Sequence, residues 1–321
     1  MSSLLTCSRE SSPVDEGISH GIRDERFTNF IRNILYSHCR FSYEEILAFC
    51  TPQAMVNFSL AMTSPGANEC DNYEVLEKIG DAVYRRELLR VLVCRFPQFM
   101  EPSSVPYMAR LEIILKSSQA LATMAADINI RPYVTAPHEE FKNRIKPLLE
   151  DVLEAFLGAL QLNIDLFLDN KESVPINIHN GTFTFVKSLL LHYKLPTTFD
   201  TLYDSKSRFN IISNFTKTRL AAKTTPIAYK SHRNDNSMFT TTLTMQLDEG
   251  EPILLGKSDS EKFKKQDSEQ MAASRAIDTL SRMAQDARLQ LHQTPSGQLV
   301  IDIDDLLDRE RVKVRSFFDH V

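Results

Sequence analysis

Five acids stand at spacings that can do chemistry. In Glu74-Val75-Leu76-Glu77-Lys78-Ile79-Gly80-Asp81 the carboxylates fall at i, i+3 and i+7, so a helix there would carry all three along one face. In Leu148-Leu149-Glu150-Asp151-Val152-Leu153-Glu154-Ala155-Phe156-Leu157-Gly158, Asp151 and Glu154 again share a face at i, i+3. Acids on helices ordinarily face water. Around Asp151 and Glu154, however, Leu149, Val152, Leu153, Ala155, Phe156 and Leu157 cover most of the circumference. This helix is therefore predicted to be largely buried, with its carboxylates facing the interior or a cleft. Buried carboxylates are costly alone, and they take up protons or share a cation. Several of them converging from two helices make a hard-oxygen site suited to Mg²⁺ or Mn²⁺. Such an ion also takes phosphate oxygens from a substrate, which is the setting of phosphoryl-transfer chemistry. Gly80 and Gly158 fit the picture, because a missing side chain lets two helices approach closely.

The elements that must hold these acids read as helices. The chain has 321 residues, 42% hydrophobic and 25% charged, with only 9 Gly and 14 Pro. That composition provides ample core and excludes a disordered or collagenous chain. At ~100–200 residues per domain, two domains are expected. No run of about 20 apolar residues marks a transmembrane helix, and Met1 to Glu16 lacks the apolar stretch of a signal peptide. Cytoplasmic residence is the default, with the nucleus left open. The five cysteines include no CxxC pair and read as reduced thiols rather than a disulfide frame or zinc site.

Residues 1–23 read as a flexible leader. From Phe27 to about Leu195 the apolar spacing is helical, as in Phe27, Phe30, Ile31, Ile34 and Leu35. After Pro196 the pattern changes. Asp204 can cap a helix through Phe209, Ile212 and Phe215. Pro226 opens an extended stretch, Phe239 to Met245 alternates like a half-buried strand, Asp248-Glu249-Gly250 is a turn, and Pro252 to Leu255 reads as another strand. A helix follows from about Gln266 to Met283. Residues 286–321 read as a tail with one apolar patch, Leu299 to Leu307. The expected fold class is mainly α: an all-helical domain over 24–196 and a small α-β-β-β-α module over 203–285. From Tyr203 to Gln285, 13 Lys and Arg face 10 Asp and Glu, a net of +3, which leaves −8 for the rest of a chain whose total is −5.

Tyr73 to Asp81 resembles the ribonuclease III signature N-E-R-L-E-F-L-G-D, with Glu74, Glu77, Gly80 and Asp81 in place. Asp151 to Gly158 is similar to that family's second motif, D-x-x-E-A-L-I-G. Phe96-Pro97 and Leu121-Ala122 between them also resemble the family. The resemblance implies that Glu77, Asp81, Asp151 and Glu154 bind the catalytic divalent metal, Mg²⁺ with Mn²⁺ as a substitute. It also implies hydrolysis of double-stranded RNA to 5′-phosphate and 3′-hydroxyl ends. Asp81 and Glu154 are then the indispensable catalytic pair, and Glu74 an interface or substrate acid. A homodimer is implied as well, although Lys78 replaces the aromatic that makes the family's dimer contact. Val75 replaces its Arg, Thr63-Ser64 stands for Thr-His and Ser118 for Asn.

Asp204-Ser205-Lys206-Ser207-Arg208-Phe209 and Asp267-Ser268-Glu269-Gln270-Met271-Ala272-Ala273 resemble the opening and closing motifs of a double-stranded-RNA-binding domain. Such a domain grips A-form RNA by shape and by phosphate contacts. Lys206, Lys262, Lys264 and Lys265 are the implied RNA contacts, the last three at a helix start where the dipole assists. Gln266 and His232-Arg233-Asn234-Asp235 depart from the module's pattern. The competing readings are a catalytically inactive protein that sequesters duplex RNA or serves in a ribonucleoprotein, and a helical interaction protein with surface acids.

Overall fold

The structure is a computed structural model and describes residues 17–169, 176–220, 228–245, 253–258, 264–291 and 303–319. The chain is mainly helical, as the periodicity predicts, and divides into two compact units, Met1–Leu195 and Pro196–Val321.

In the first unit a short strand β1 (Ile18–Ser19) precedes α1 (Glu25–Ser37), α2 (Tyr43–Phe49), α3 (Pro52–Ala61) and α4 (Glu74–Arg95). Then come α5 (Val105–Leu115), α6 (Ser118–Asp127), β2 (Ala136–Pro137), α7 (His138–Asn143), α8 (Ile145–Asp169), α9 (Ile176–His179) and α10 (Gly181–His192). Local chemistry sets the helix starts. Asp24 caps α1 through the Arg26 amide, and Ser42 and Glu45 form a capping box on α2. Thr51 caps α3 ahead of Pro52, whose fixed φ suits the first turn.

The centre of this unit is the long contact of α4 with α8, flanked by α3, α6 and α10. The contact is close because both helices carry glycine there. A Cβ added to Gly80 would lie under 2 Å from the Glu154 carbonyl oxygen, and one on Gly158 2.0 Å from the Leu76 carbonyl oxygen. From Val152 to Leu160 every residue of α8 is buried, as its apolar circumference predicts. Phe156 sits between Phe58 and Phe185, with ring centroids 5.3 and 5.2 Å away. Truncating such a side chain costs about 3–5 kcal/mol.

The expected leader falls mostly on residues 1–16, outside the described residues. Its last part, read as flexible, is instead tied down. Ile18 and Ser19 pair antiparallel with Pro137 and Ala136, and the Ile22 amide donates to the Pro132 carbonyl. Arg23 donates to the carbonyls of Tyr133 and Met62 and to the hydroxyls of Ser59, Thr63 and Thr135. An arginine spending its donors on backbone carbonyls has no periodicity for a sequence reading to detect.

The second unit runs α11 (Phe199–Leu202), α12 (Ser205–Leu220), β3 (Ala228–Arg233), β4 (Phe239–Met245), β5 (Ile253–Lys257), α13 (Lys265–Leu291) and α14 (Ile303–Phe318). The strands form one antiparallel sheet in the order β3-β4-β5. Its core is Phe209 of α12, Leu243 and Leu255 of the sheet, and Ala272, Ala273 and Ala276 of α13. The small residues are needed, since a Cβ on Gly256 would meet the Ala272 carbonyl at 2.2 Å. Asp204 caps α12 by accepting the Ser207 amide at 2.7 Å. The Asp248-Glu249-Gly250 turn, Pro226 and Pro252 lie outside the described residues. The part of the chain read as a tail contains α14, which packs on α11, α12 and α13 through buried Leu306, Leu307, Val314 and Phe318.

Candidate active site

Helix α4 presents Glu74, Glu77 and Asp81, and α8 presents Asp151 and Glu154, across the glycine contact. Glu154 is 7% exposed although ionisable. Burial pushes its carboxyl up to about 8, and the charges of Asp81, Glu150 and Glu77 push the same way. Asp151 is raised to about 6, first by burial, against a hydrogen bond from Tyr73, with Glu77 and Glu150 adding repulsion. The acids from the two helices therefore share one field of negative charge. Glu87, also on α4, shows the contrast: fully buried, it is paired with Arg86 at 2.6 Å and Arg90 at 2.5 Å.

A cleft of about 290 Å³ opens beside Asp151, lined by Glu74, Glu77 and Asp151 together with Tyr73, Glu140 and Arg144. The Tyr73 hydroxyl donates to Asp151 Oδ2 at 3.1 Å. Burial and the Asp151 charge raise the phenol, which keeps its proton available for that bond. Ser64, one of the residues departing from the family pattern, donates to Glu140 Oε2 at 2.9 Å. Lys116 Nζ lies 2.6 Å from Asp81 Oδ1. Lys78 is 83% exposed and reaches Glu77 at 3.4 Å.

All five sequence-predicted acids thus belong to the α4–α8 face, with Glu74 the outermost and solvent-exposed. They are not drawn into one coordination shell. Among the described residues, no three His, Cys, Asp or Glu side chains are gathered so as to hold a metal ion. Sequence reasoning gave no role to Tyr73, Lys116, Glu140 or Arg144. Glu150 was legible beside Asp151, but Lys116 comes from a different turn and carries no spacing signal.

In the second unit, Lys206 is partly exposed and paired with an acid of α13. Its Nζ lies 2.5 Å from Glu269 Oε2 and 5.2 Å from the Tyr229 ring centroid. Lys264 and Lys265 are exposed at the start of α13, Lys265 reaching Glu269 at 3.7 Å. Lys262 lies outside the described residues.

Fold and site together define a mainly helical protein with an acidic centre between two crossed helices. Residues 74–164 match the family model of the ribonuclease III domain. A putative ribonuclease 3 of Invertebrate iridescent virus 6 is 30% identical over 271 residues, covering 81% of this chain and 89% of that protein. A putative ribonuclease 3 of Frog virus 3 is 34% identical over 104 residues, 32% of this chain and 28% of that protein. The solved nuclease domain of Campylobacter jejuni ribonuclease III is 20% identical, covers 49% of this chain and 92% of that one, and gives a TM-score of 0.33. The chain belongs to the ribonuclease III family and is an endoribonuclease of that type. Among the described residues no helix is long and apolar enough to cross a membrane.

Proposed function

We propose that the chain hydrolyses phosphodiester bonds of double-stranded RNA with a divalent metal, leaving 5′-phosphate and 3′-hydroxyl ends. The observation that carries this reading is the placement of Glu77 and Asp81 opposite Asp151 and Glu154 across the Gly80–Gly158 contact, where burial first and the neighbouring carboxylates second raise Glu154. A centre whose acids repel one another is relieved by a cation. The donors are all hard oxygens, which fits Mg²⁺, with Mn²⁺ as a substitute. Mg²⁺ keeps several waters and needs only one or two carboxylates, so four acids sharing a field without forming one shell suit it. Asp81 and Glu154 would hold the ion, with Glu77 and Asp151 beside them. When bound, the ion would lower the pKa of an attacking water and offset charge on the leaving oxygen. Tyr73 fixes the Asp151 carboxylate, and Arg144 at the cleft rim offers a charge to a backbone phosphate.

The helix–three strands–helix order of the second unit supports a double-stranded-RNA-binding domain over 203–285, with Lys264 and Lys265 as its phosphate contacts. Two copies of the chain would cut the two strands. Lys78 stands exposed where the family's dimer aromatic belongs, so the dimer is held by other contacts. Cleavage of a long end-labelled duplex with Mg²⁺, wild type against Glu154→Gln, tests the assignment. Cutting lost in the variant while duplex binding persists supports it. A wild type that binds duplex and never cuts, with either ion, overturns it in favour of the sequestering protein.

A further inference from the structure

Lys116 is a cation at the acidic centre to which the metal reading gives no role. It follows the last residue of α5, and both flanks of its turn are fixed. Its own amide donates to the Glu112 carbonyl at 2.9 Å. The preceding Leu115 carbonyl accepts from the hydroxyl of fully buried Tyr84 at 3.0 Å. The following Ser117 donates to the Ile114 carbonyl at 2.6 Å and caps α6 through the Ala120 amide. From this turn the Lys116 side chain, only 25% exposed, reaches across to Asp81 on α4. Its charge extends to Glu154 on α8 as well. Lys78, by contrast, is a surface lysine on the same helix as its partner.

We propose that Lys116 is a fixed internal cation of the centre, a positioning residue that anchors Asp81 and competes with the divalent ion for it. This rests on the metal-dependent reading above. At 2.6 Å the ammonium occupies oxygen lone-pair space that a hard cation would otherwise take. An arriving ion must displace it or share Asp81 with it, against like-charge repulsion. The chain thereby sets a threshold of metal concentration below which Asp81 stays paired with its own lysine.

The test is binding, not turnover. Mn²⁺ is titrated into metal-free protein and the free ion followed by electron paramagnetic resonance, for wild type, Lys116→Met, Lys116→Arg and Glu154→Gln. Circular dichroism and urea midpoints confirm that each is folded. Lys116→Met should bind Mn²⁺ about tenfold more tightly than wild type, with Lys116→Arg close to wild type. Lys116→Met binding no more tightly, or more weakly, overturns the proposal while leaving the metal reading intact. If wild type and Glu154→Gln titrate alike, the metal reading itself fails and the role of Lys116 falls with it.

Discussion

Gly80 and Gly158 form a backbone-to-backbone contact between the two helices that carry the acids. A Cβ built on Gly80 would lie 3.0 Å from the Gly158 amide nitrogen, and one on Gly158 3.1 Å from the Gly80 amide nitrogen. The atoms in the way are main chain, which cannot rotate aside. The separation of Asp81 from Glu154 is therefore set by two absent side chains.

Gly158→Ala should be destabilised by about 1–3 kcal/mol or more, because overpacking here must push whole helices apart. Urea denaturation measures the loss. Since the same movement separates the acids, cleavage should fall even at temperatures where the variant is fully folded.

Acid pH should stabilise the metal-free protein. Glu154 has an ordinary value of 4.5 and a folded value of about 8. Between these the folded chain keeps a proton that the unfolded chain has released, so stability falls as pH rises through the window. Asp151 adds the same sign between 3.8 and about 6. Unfolding free energies from urea titrations at pH 5.5 and 8.5 should differ by about 2–4 kcal/mol from Glu154, and Glu154→Gln should remove most of the slope. A midpoint that rises with pH would contradict the shared-field picture.

The acids, the two glycines and the order of helices and strands were legible because each is local. An i, i+3, i+7 spacing or an alternating run lies within one element. Lys116, Glu140 and Arg144 reach the centre from other turns, and nothing in their neighbouring residues announces that. The ion pair of Lys206 was hidden for a related reason: its partner, Glu269, lies 63 residues away. The helix Ile303–Phe318 was missed because its buried positions matter only once α11 and α13 are present to cover them.

Substitutions along α4 should grade by how strongly each acid acts on Glu154, of which Asp81 acts most among the carboxylates. Asp81→Asn should lower kcat by more than about a hundredfold, beyond what loss of a supporting contact to a metal ligand costs. Glu74→Gln, exposed at the cleft rim, should cost less than about tenfold. Single-turnover cleavage at saturating metal separates the two, and equal losses would contradict that ordering.

Duplex binding should depend on the α13 lysines more than on Lys206. Lys264→Ala and Lys265→Ala should each reduce the slope of log affinity against log salt by roughly one phosphate contact. Lys206→Met should leave the slope nearly unchanged and cost stability by at most about 1 kcal/mol, since its pair is partly exposed. Filter binding across a salt series reads all three.

Arg23 bonds the Thr63 hydroxyl at 3.4 Å, the Thr63 carbonyl accepts the Tyr73 amide at 3.0 Å, and the Tyr73 hydroxyl holds Asp151. The strap ahead of α1 is thus joined to Asp151, a proposed metal ligand, by a short relay of hydrogen bonds. Cutting the chain within this strap should therefore loosen Asp151 without touching a single acid.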